Sequence, residues 1–423
     1  MKTFERRPCT VIGLLAVVTV FLHLLFGVYY AASVEKVAVT TLLRQQGGPF
    51  LASHSGWNTS REGDAAYYNR TATNILRSGL PRQRSGEVTW HAPLYSYFLA
   101  GCYAVGGVRF WPVAAAQAVL SGLTALALGT AAKRIGLPQR GWIGPSAALL
   151  YLINLRIAMY VGYIYPTLLA LALFAAAVWL ASSGRPAWFV VLIVLGMAAQ
   201  ASFFVVAVAC AVWLLLERNR LAALLLVAVA VLRIGVGMVT PKLSEEKESA
   251  VLWEANNPYY ESMRWNSLWE RRPGNPWTKW SVTAAEQQRY DQYLARRGGN
   301  PSRAALLWIR ENPAQYVKLC LIRLRTTLGP FTGQMSPRNR AVSMFYWLMI
   351  FPLGVYGLWC LRHLPISRLA LCVFLVLTAF ETLVITEWYL RYRMPVDLLL
   401  MVYAAVGIGR LLNKRQAEPL PSC

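Results

Sequence analysis

Charged residues are scarce in this sequence. Only 14% of its 423 residues are charged and 56% are apolar, whereas about a quarter of the residues of a typical soluble domain are charged. Acidic residues are the rarest group, with 19 Asp and Glu against 42 Lys and Arg. This composition excludes a free-standing soluble enzyme and indicates a protein embedded in a lipid bilayer.

Cysteine is also sparse. The chain has seven cysteines, an odd number. Those that lie in or beside apolar runs do not have the spacing of metal ligands, so we interpret them as structural residues. They are Cys9, Cys102, Cys210, Cys360 and Cys372.

Long apolar runs, in contrast, are frequent. Because the hydrocarbon core of a bilayer is about 30 Å thick, a spanning helix needs roughly 20 apolar residues. One longer run, 186–216, is predicted to fold back near Ala201 and Ser202 into two spans. These runs predict an all-α polytopic membrane protein with about ten transmembrane helices. The other runs are 9–32, 111–132, 142–160, 163–183, 220–239, 341–361, 366–386 and 394–412.

The positive charges lie largely in short connectors between these runs. A net charge of +23 would by itself suit a nucleic-acid-binding protein. With ten spans, however, the basic connectors all fall on the side of the N-terminus, which the positive-inside rule makes cytoplasmic. We therefore expect membrane lipids as partners and no nucleic acid. Typical connector residues are Lys2, Arg7, Lys133, Arg140, Arg185, Arg218, Arg362, Arg368, Arg410 and Lys414.

Two segments on the outer side are too long and too polar to be simple connectors, so function is expected there. In the second of them, Pro301 to Arg325 is predicted to form a helical pair around Asn312 and Pro313. The predicted order is a first span at 1–32, an outer loop with interfacial helices at 33–110, spans two to seven at 111–239, an outer segment at 240–340, spans eight to ten at 341–412 and a cytoplasmic tail at 413–423.

The first outer loop carries the most informative motif. It contains Arg61-Glu62-Gly63-Asp64-Ala65-Ala66-Tyr67-Tyr68, a short helix that ends at Gly79, and then His91-Ala92-Pro93-Leu94-Tyr95. This pattern resembles the first outer loop of GT-C glycosyltransferases, in particular the branch of protein O-mannosyltransferases and the lipid A aminoarabinose transferase. The resemblance implies transfer of a sugar from a polyprenyl-phosphate carrier to an acceptor on the outer side, with an acid of this loop at the reaction centre.

Asp64 is the candidate catalytic residue. Transfer from a sugar phosphate needs a base that takes the proton of the acceptor hydroxyl, and cations that stabilise the departing phosphate. Asp64 fits the base, and one direct displacement would invert the anomeric centre. The alternative is a helix N-cap, which contributes about 1 kcal/mol. If Asp64 is the base, the loop 33–110 is the catalytic loop.

Four further residues of this loop are expected to contact the substrates: Glu62, Tyr67, His91 and Tyr95. For Glu62, a solvated loop acid is an equally good interpretation. For His91, a lone loop histidine without a role is the alternative.

Basic residues near the outer ends of the spans are the candidates for binding the donor phosphate. Arg391 and Arg393 belong to Arg-Tyr-Arg before Pro395, and Arg156 and Arg233 lie inside apolar runs, where an ionisable group costs a few kcal/mol. For Arg391 and Arg393, the alternative is an anchor at the membrane surface. We also expect Asp397 to pair with Arg393 on one helix face, whereas Glu381 has no predicted partner.

The sequence departs from the family at its second acids. Many relatives have an acid directly after the first one, where this chain has Ala65, and another near the fourth span, where it has Tyr165-Pro166-Thr167. We therefore assign no metal ligands and no cofactor, and a requirement for a divalent metal is the less favoured alternative.

The sequence thus predicts a glycosyltransferase of a bacterial inner membrane, with its active site on the outer face. Its partners would be a polyprenyl-phosphate-linked sugar donor and a lipid, glycan or protein acceptor. Two alternatives are a transporter or flippase of lipid-linked sugars and a non-catalytic membrane assembly partner. A transporter predicts paired inverted halves with broken helices, and no such symmetry is visible in the sequence.

Overall fold

The computed structural model describes residues 2–35, 38–44, 64–82, 88, 93–136, 141–239, 252, 256, 288, 292–330, 337–384 and 390–413. Within these residues, regular structure is helical, and Arg82 and Val88 form an isolated β-bridge. The predicted all-α class is therefore confirmed.

Sixteen α-helices lie within the described residues. They are α1 Lys2–Glu35, α2 Val39–Arg44, α3 Asp64–Ser78, α4 Pro93–Gly106, α5 Phe110–Ile135, α6 Ile143–Leu152, α7 Leu155–Ala158, α8 Thr167–Ala181, α9 Pro186–Ala199, α10 Phe204–Leu216, α11 Arg220–Val239, α12 Pro301–Glu311, α13 Pro313–Leu328, α14 Pro337–Cys360, α15 Pro365–Leu383 and α16 Leu390–Asn413.

The long apolar helices make the chain an integral membrane protein. Among the described residues, α1, α5, α14, α15 and α16 are long and apolar enough to cross a bilayer, and α6 with α7 adds a sixth span if the bent pair is counted as one. The apolar helices α8, α9 and α10 have 15, 14 and 13 residues. At 1.5 Å per residue they are shorter than a 30 Å core. The count of ten spans therefore stays a prediction.

The predicted third span, 142–160, is not one continuous helix. α6 ends at Leu152, and the next helical piece continues at an angle of 52°. The Asn154 side chain caps the second piece, because its Oδ1 accepts hydrogen bonds from the backbone N–H of Arg156 and Ile157. The freed carbonyl of Leu152 accepts a 2.8 Å bond from the His23 ring.

The predicted turn in the run 186–216 is confirmed as a helix break. α9 ends at Ala199, a 3₁₀ turn covers Ala201–Phe203, and α10 begins at Phe204. Small residues allow close packing elsewhere in the bundle. For example, a Cβ on Gly144 of α6 would lie 2.7 Å from Gly129 O of α5, so only glycine permits this approach of the two backbones.

The pair α12 and α13 confirms the helical pair predicted around Asn312 and Pro313. α13 lies across the end of α15, where Tyr316 OH donates to Leu383 O at 3.2 Å. The fully buried Arg323 donates to Thr382 O at 3.1 Å. This hairpin therefore packs against the end of the bundle at which α15 stops and α16 starts.

Candidate functional site

The candidate acid Asp64 is the first residue of α3. α3 packs against α4, and its buried apolar side chains Ala65, Tyr68, Ala72 and Ile75 recur every three or four residues. This is the spacing of one helix face. Because the buried face begins directly after Asp64, packing holds the backbone of Asp64 at the start of the helix. The side chain of Asp64 lies outside the described part of the structure.

Tyrosines join α3 to α4. The rings of Tyr68 and Tyr95 meet edge to face, with their centroids 5.1 Å apart, and Tyr67 packs against Tyr68 at 5.4 Å. Edge-to-face contact is a favourable geometry for aromatic pairs. Tyr103 OH also donates to Asn69 Oδ1 at 2.7 Å. These contacts fix the position of α3 on α4.

Two of the predicted substrate-contacting residues, Tyr67 and Tyr95, take part in this packing. They are 4% and 0% exposed. Burial raises the pKa of the Tyr95 hydroxyl well above its usual value, so the hydroxyl keeps its proton and acts as a donor. Contact of either residue with substrate stays a prediction. Glu62 and His91 lie outside the described residues.

Gln117 of α5 is a buried residue whose connecting position is not predicted from the sequence. Its amide oxygen accepts a 3.1 Å hydrogen bond from Tyr95 OH. Its amide nitrogen donates to Val161 O at 3.0 Å and to Tyr163 O at 2.8 Å. Gln117 therefore connects α4 and α5 to the segment that follows α7. A single amide within an apolar run was the available signal, because a buried amide is costly unless it is hydrogen bonded.

The candidate phosphate-binding residues Arg156 and Arg393 lie together at the end of α13. Arg393 Nη1 donates to Thr327 O and to Gly329 O, both at 2.7 Å. Arg156 Nη2 donates to Pro330 O at 3.1 Å. The last carbonyls of a helix lack partners within it and carry partial negative charge, so cations stabilise them. The two guanidiniums therefore hold the C-terminal end of α13.

Acidic residues balance these arginines. Asp397 Oδ1 accepts a 3.0 Å bond from Arg393 Nε, which confirms the predicted pair on one face of α16. Asp397 also acts electrostatically on Arg156. Glu381, at the end of α15, interacts electrostatically with Arg393 and Asp397. The cluster therefore combines the guanidiniums of Arg156 and Arg393 with the carboxyl groups of Glu381 and Asp397.

The other two candidate arginines have described backbones only. Arg391 lies on α16 two residues before Arg393, and Arg233 lies on α11. Both side chains are outside the described part of the chain, so their roles in phosphate binding stay predictions.

A metal ion would need several His, Cys, Asp or Glu side chains close together. Within the residues that the structure describes, no three His, Cys, Asp or Glu side chains lie together as metal ligands would. The expectation of a metal-free site stays a prediction, because Glu62 and the Asp64 side chain are not described.

No family model and no curated protein matches this sequence. Two of the solved structures that are similar to it at low identity are the following. One is the archaeal oligosaccharyltransferase AglB from Archaeoglobus fulgidus, in complex with an inhibitory peptide and a dolichol-phosphate, with 14% identity, a TM-score of 0.48 and coverage of 96% of this chain. The chain spans about half of AglB, 52% of its length. The other is ArnT from Cupriavidus metallidurans bound to undecaprenyl phosphate, with 12% identity, a TM-score of 0.37 and coverage of 95% of this chain and 79% of ArnT.

Proposed function

We propose that this protein is a membrane glycosyltransferase that moves a sugar from a polyprenyl-phosphate carrier to an acceptor hydroxyl on the outer side of the membrane. One observation supports this proposal above the others. A continuous series of contacts links the start of α3, where Asp64 lies, to the cluster that contains Arg156 and Arg393.

The series has three steps. Tyr68 of α3 packs on Tyr95 of α4, and Tyr95 donates to Gln117 of α5. Gln117 in turn donates to the carbonyls of Val161 and Tyr163. These carbonyls follow α7, the short helix that carries Arg156. A base and a phosphate-binding cation on one connected framework are the arrangement that the reaction needs.

In the proposed reaction, the Asp64 carboxylate takes the proton of the acceptor hydroxyl. The oxygen attacks the anomeric carbon as the bond from this carbon to the phosphate oxygen breaks, which inverts the anomeric centre. The phosphate leaves with the additional negative charge. Arg156, Arg393 and Arg391 stabilise it, because a guanidinium bonds an anionic oxygen more strongly than it bonds a carbonyl.

The proposed membrane topology follows from the positions of the basic connectors. Both termini are placed in the cytoplasm, and the acid and the arginines at the outer face. The proposed acceptor is a lipid, glycan or protein that carries a hydroxyl.

Transport of a lipid-linked sugar is the second candidate, since the bent pair α6 and α7 resembles the broken helices of transporters. Transport predicts two such broken helices in symmetric positions. Among the described residues, α6 and α7 form a single bent pair. The transferase therefore remains the better-supported function.

The test is transfer by the purified protein. Protein in lipid nanodiscs is incubated with radiolabelled polyprenyl-phosphate sugars and membrane extract, and we expect label to move from the carrier to an acceptor. The Asp64→Asn variant should lose this transfer. Movement of intact labelled carrier across liposome membranes without transfer would instead establish the transporter.

A further inference from the structure

One face of α13 carries exposed apolar and basic side chains together. Val317 and Leu321 are 54% and 61% exposed, and Lys318 and Arg325 are exposed beside them. Val317, Leu321 and Arg325 follow one another at four-residue intervals, so they lie on one face of the helix. Lys318 precedes Leu321 by three residues and borders the same face. We call these four residues the α13 stripe.

The other face of α13 makes the contacts that hold the helix in place. Leu319 of α13 and Trp308 of α12 belong to one buried apolar cluster, and the fully buried Arg323 donates to Thr382 O of α15. The α13 stripe takes no part in this packing. A single exposed valine or leucine is ordinary on a protein surface, but two of them beside two cations on one helix face form a pattern that suggests a binding surface.

The position of α13 places this face at the surface of the bilayer. Tyr316 OH donates to Leu383 O, and Arg323 donates to Thr382 O. Two side chains seven residues apart on α13, about 10 Å of helix, therefore bond adjacent residues at the end of α15. α13 crosses that end, and α15 is long and apolar enough to span a membrane. A helix that crosses the end of a spanning helix lies along the membrane surface.

The composition of α13 suits this position. The apolar residues of the α13 stripe are as exposed as Leu371 and Leu375 of α15, which are 47% and 55% exposed on a helix that passes through acyl chains. The charged residues of α13 are Lys318, Arg323 and Arg325, all of them basic. Leucine and valine beside lysine and arginine are typical of helices that lie in the headgroup region, where basic side chains extend to the phosphates.

We propose that the α13 stripe binds the surface of the bilayer at this end of the bundle, with anionic phospholipids as its ligands. Val317 and Leu321 enter the boundary between headgroups and acyl chains, and Lys318 and Arg325 pair with the phosphates. Anionic lipid is favoured over an acidic protein partner because the stripe lies where a spanning helix leaves the bilayer. The α12–α13 hairpin is then held by the bundle on one side and by lipid on the other.

The first test measures the depth of the stripe in full-length protein in nanodiscs of phosphatidylcholine and phosphatidylglycerol. Leu321→Cys and Gln315→Cys, each in a cysteine-free background, carry an NBD fluorophore. Gln315 is also exposed, but it lies about 120° around the helix from Leu321. We expect lipids with a nitroxide near the headgroup to quench the label at position 321, and aqueous iodide to quench the label at position 315. Strong iodide quenching at position 321, or shielding of it from both quenchers by a protein partner, would overturn the proposal.

The second test measures the headgroup preference. A photoactivatable maleimide on Leu321→Cys captures neighbouring lipids, which are identified by mass spectrometry, and we expect phosphatidylglycerol to exceed its share of the nanodisc. Lys318→Gln with Arg325→Gln should reduce this enrichment by up to about 5-fold per charge. Arg362→Gln with Arg368→Gln, near the opposite end of α15, removes two cations as well and should keep the enrichment. Capture of the two lipids in their bulk ratio by the protein with both cations of the stripe intact would overturn the assignment of anionic lipid.

Discussion

Tyr95 donates its hydroxyl proton to the amide oxygen of Gln117 at 3.1 Å, and both side chains are almost completely buried. This bond ties α4, and with it α3 and Asp64, to a membrane-spanning helix. The position of the candidate acid therefore depends on a hydrogen bond that lies far from it in the sequence.

Asp64→Asn should abolish most transfer without loss of stability. Asn begins a helix as well as Asp does, but it lacks the basic oxygen, and a general base typically contributes about 10²–10⁴-fold in rate. The measurement is initial transfer rate together with the thermal unfolding curve. Near-normal turnover of this variant would remove Asp64 from the mechanism, and Glu62→Gln would then be measured.

Tyr95→Phe should reduce turnover and stability together. It leaves the Gln117 amide oxygen buried without this donor, which costs about 1–3 kcal/mol. We expect a lower kcat and a similar donor KM, because the change moves α3 and not the arginines. Tyr97→Phe on the same helix is the control, since Tyr97 OH bonds Gly79 O at an exposed position. Equal effects of the two variants would show that the Gln117 bond has no positioning role.

Arg391 and Arg393 of α16 should behave differently. Arg393→Gln removes bonds to Thr327 O, Gly329 O and Asp397, and a buried pair that loses one partner typically costs about 3–5 kcal/mol. It should therefore lower the unfolding temperature as well as donor use. Arg391→Gln should raise the donor KM with normal stability. If Arg391→Gln lowers expression while the surviving protein turns over normally, Arg391 is a membrane anchor.

The membrane topology is tested by labelling single cysteines in a cysteine-free background. Ser182→Cys, between α8 and α9, should react only when the cytoplasmic side is open to a membrane-impermeant maleimide. Ser55→Cys and Ser281→Cys, in segments outside the described residues, should react from the outside. The reverse pattern would invert the topology and exclude an outer active site.

Cys102 of α4 provides a test of the packing that holds α3. Burial raises the pKa of its thiol to about 11, so roughly a thousandth of it is ionised at pH 8. Alkylation by N-ethylmaleimide should be slow at pH 8 and should accelerate up to about pH 11, as followed by mass spectrometry. Exposed Cys9 is the reference. Equally fast alkylation of both at pH 8 would mean that α4 does not pack as described.

Local features of this protein were predictable from sequence, and distant pairings were not. The pair Arg393 and Asp397 follows from a four-residue spacing on one helix. The long helices follow from apolar runs of suitable length. Arg156 and Pro330, in contrast, are 174 residues apart, and nothing in either local sequence indicates that they meet.

The break between α6 and α7 shows the same limit. The apolar residues around Asn154 predict one uninterrupted span, because a single asparagine does not end such a run. The break is stable only because Asn154 caps α7 and because Tyr346 and His23 bond the carbonyls of Leu150 and Leu152. Two of these partners come from other helices. The outcome was therefore decided by tertiary contacts.

The Arg393 guanidinium that holds the end of α13 is also proposed to bind the carrier phosphate. Arg393 has a fixed number of N–H groups, and those that hold Thr327 O and Gly329 O cannot at the same time be given fully to a carrier phosphate. Docking of the hairpin and loading of the carrier would then be thermodynamically linked. Because linkage is reciprocal, undocking of α13 would tighten carrier binding by the same factor by which the bound carrier favours undocking of α13.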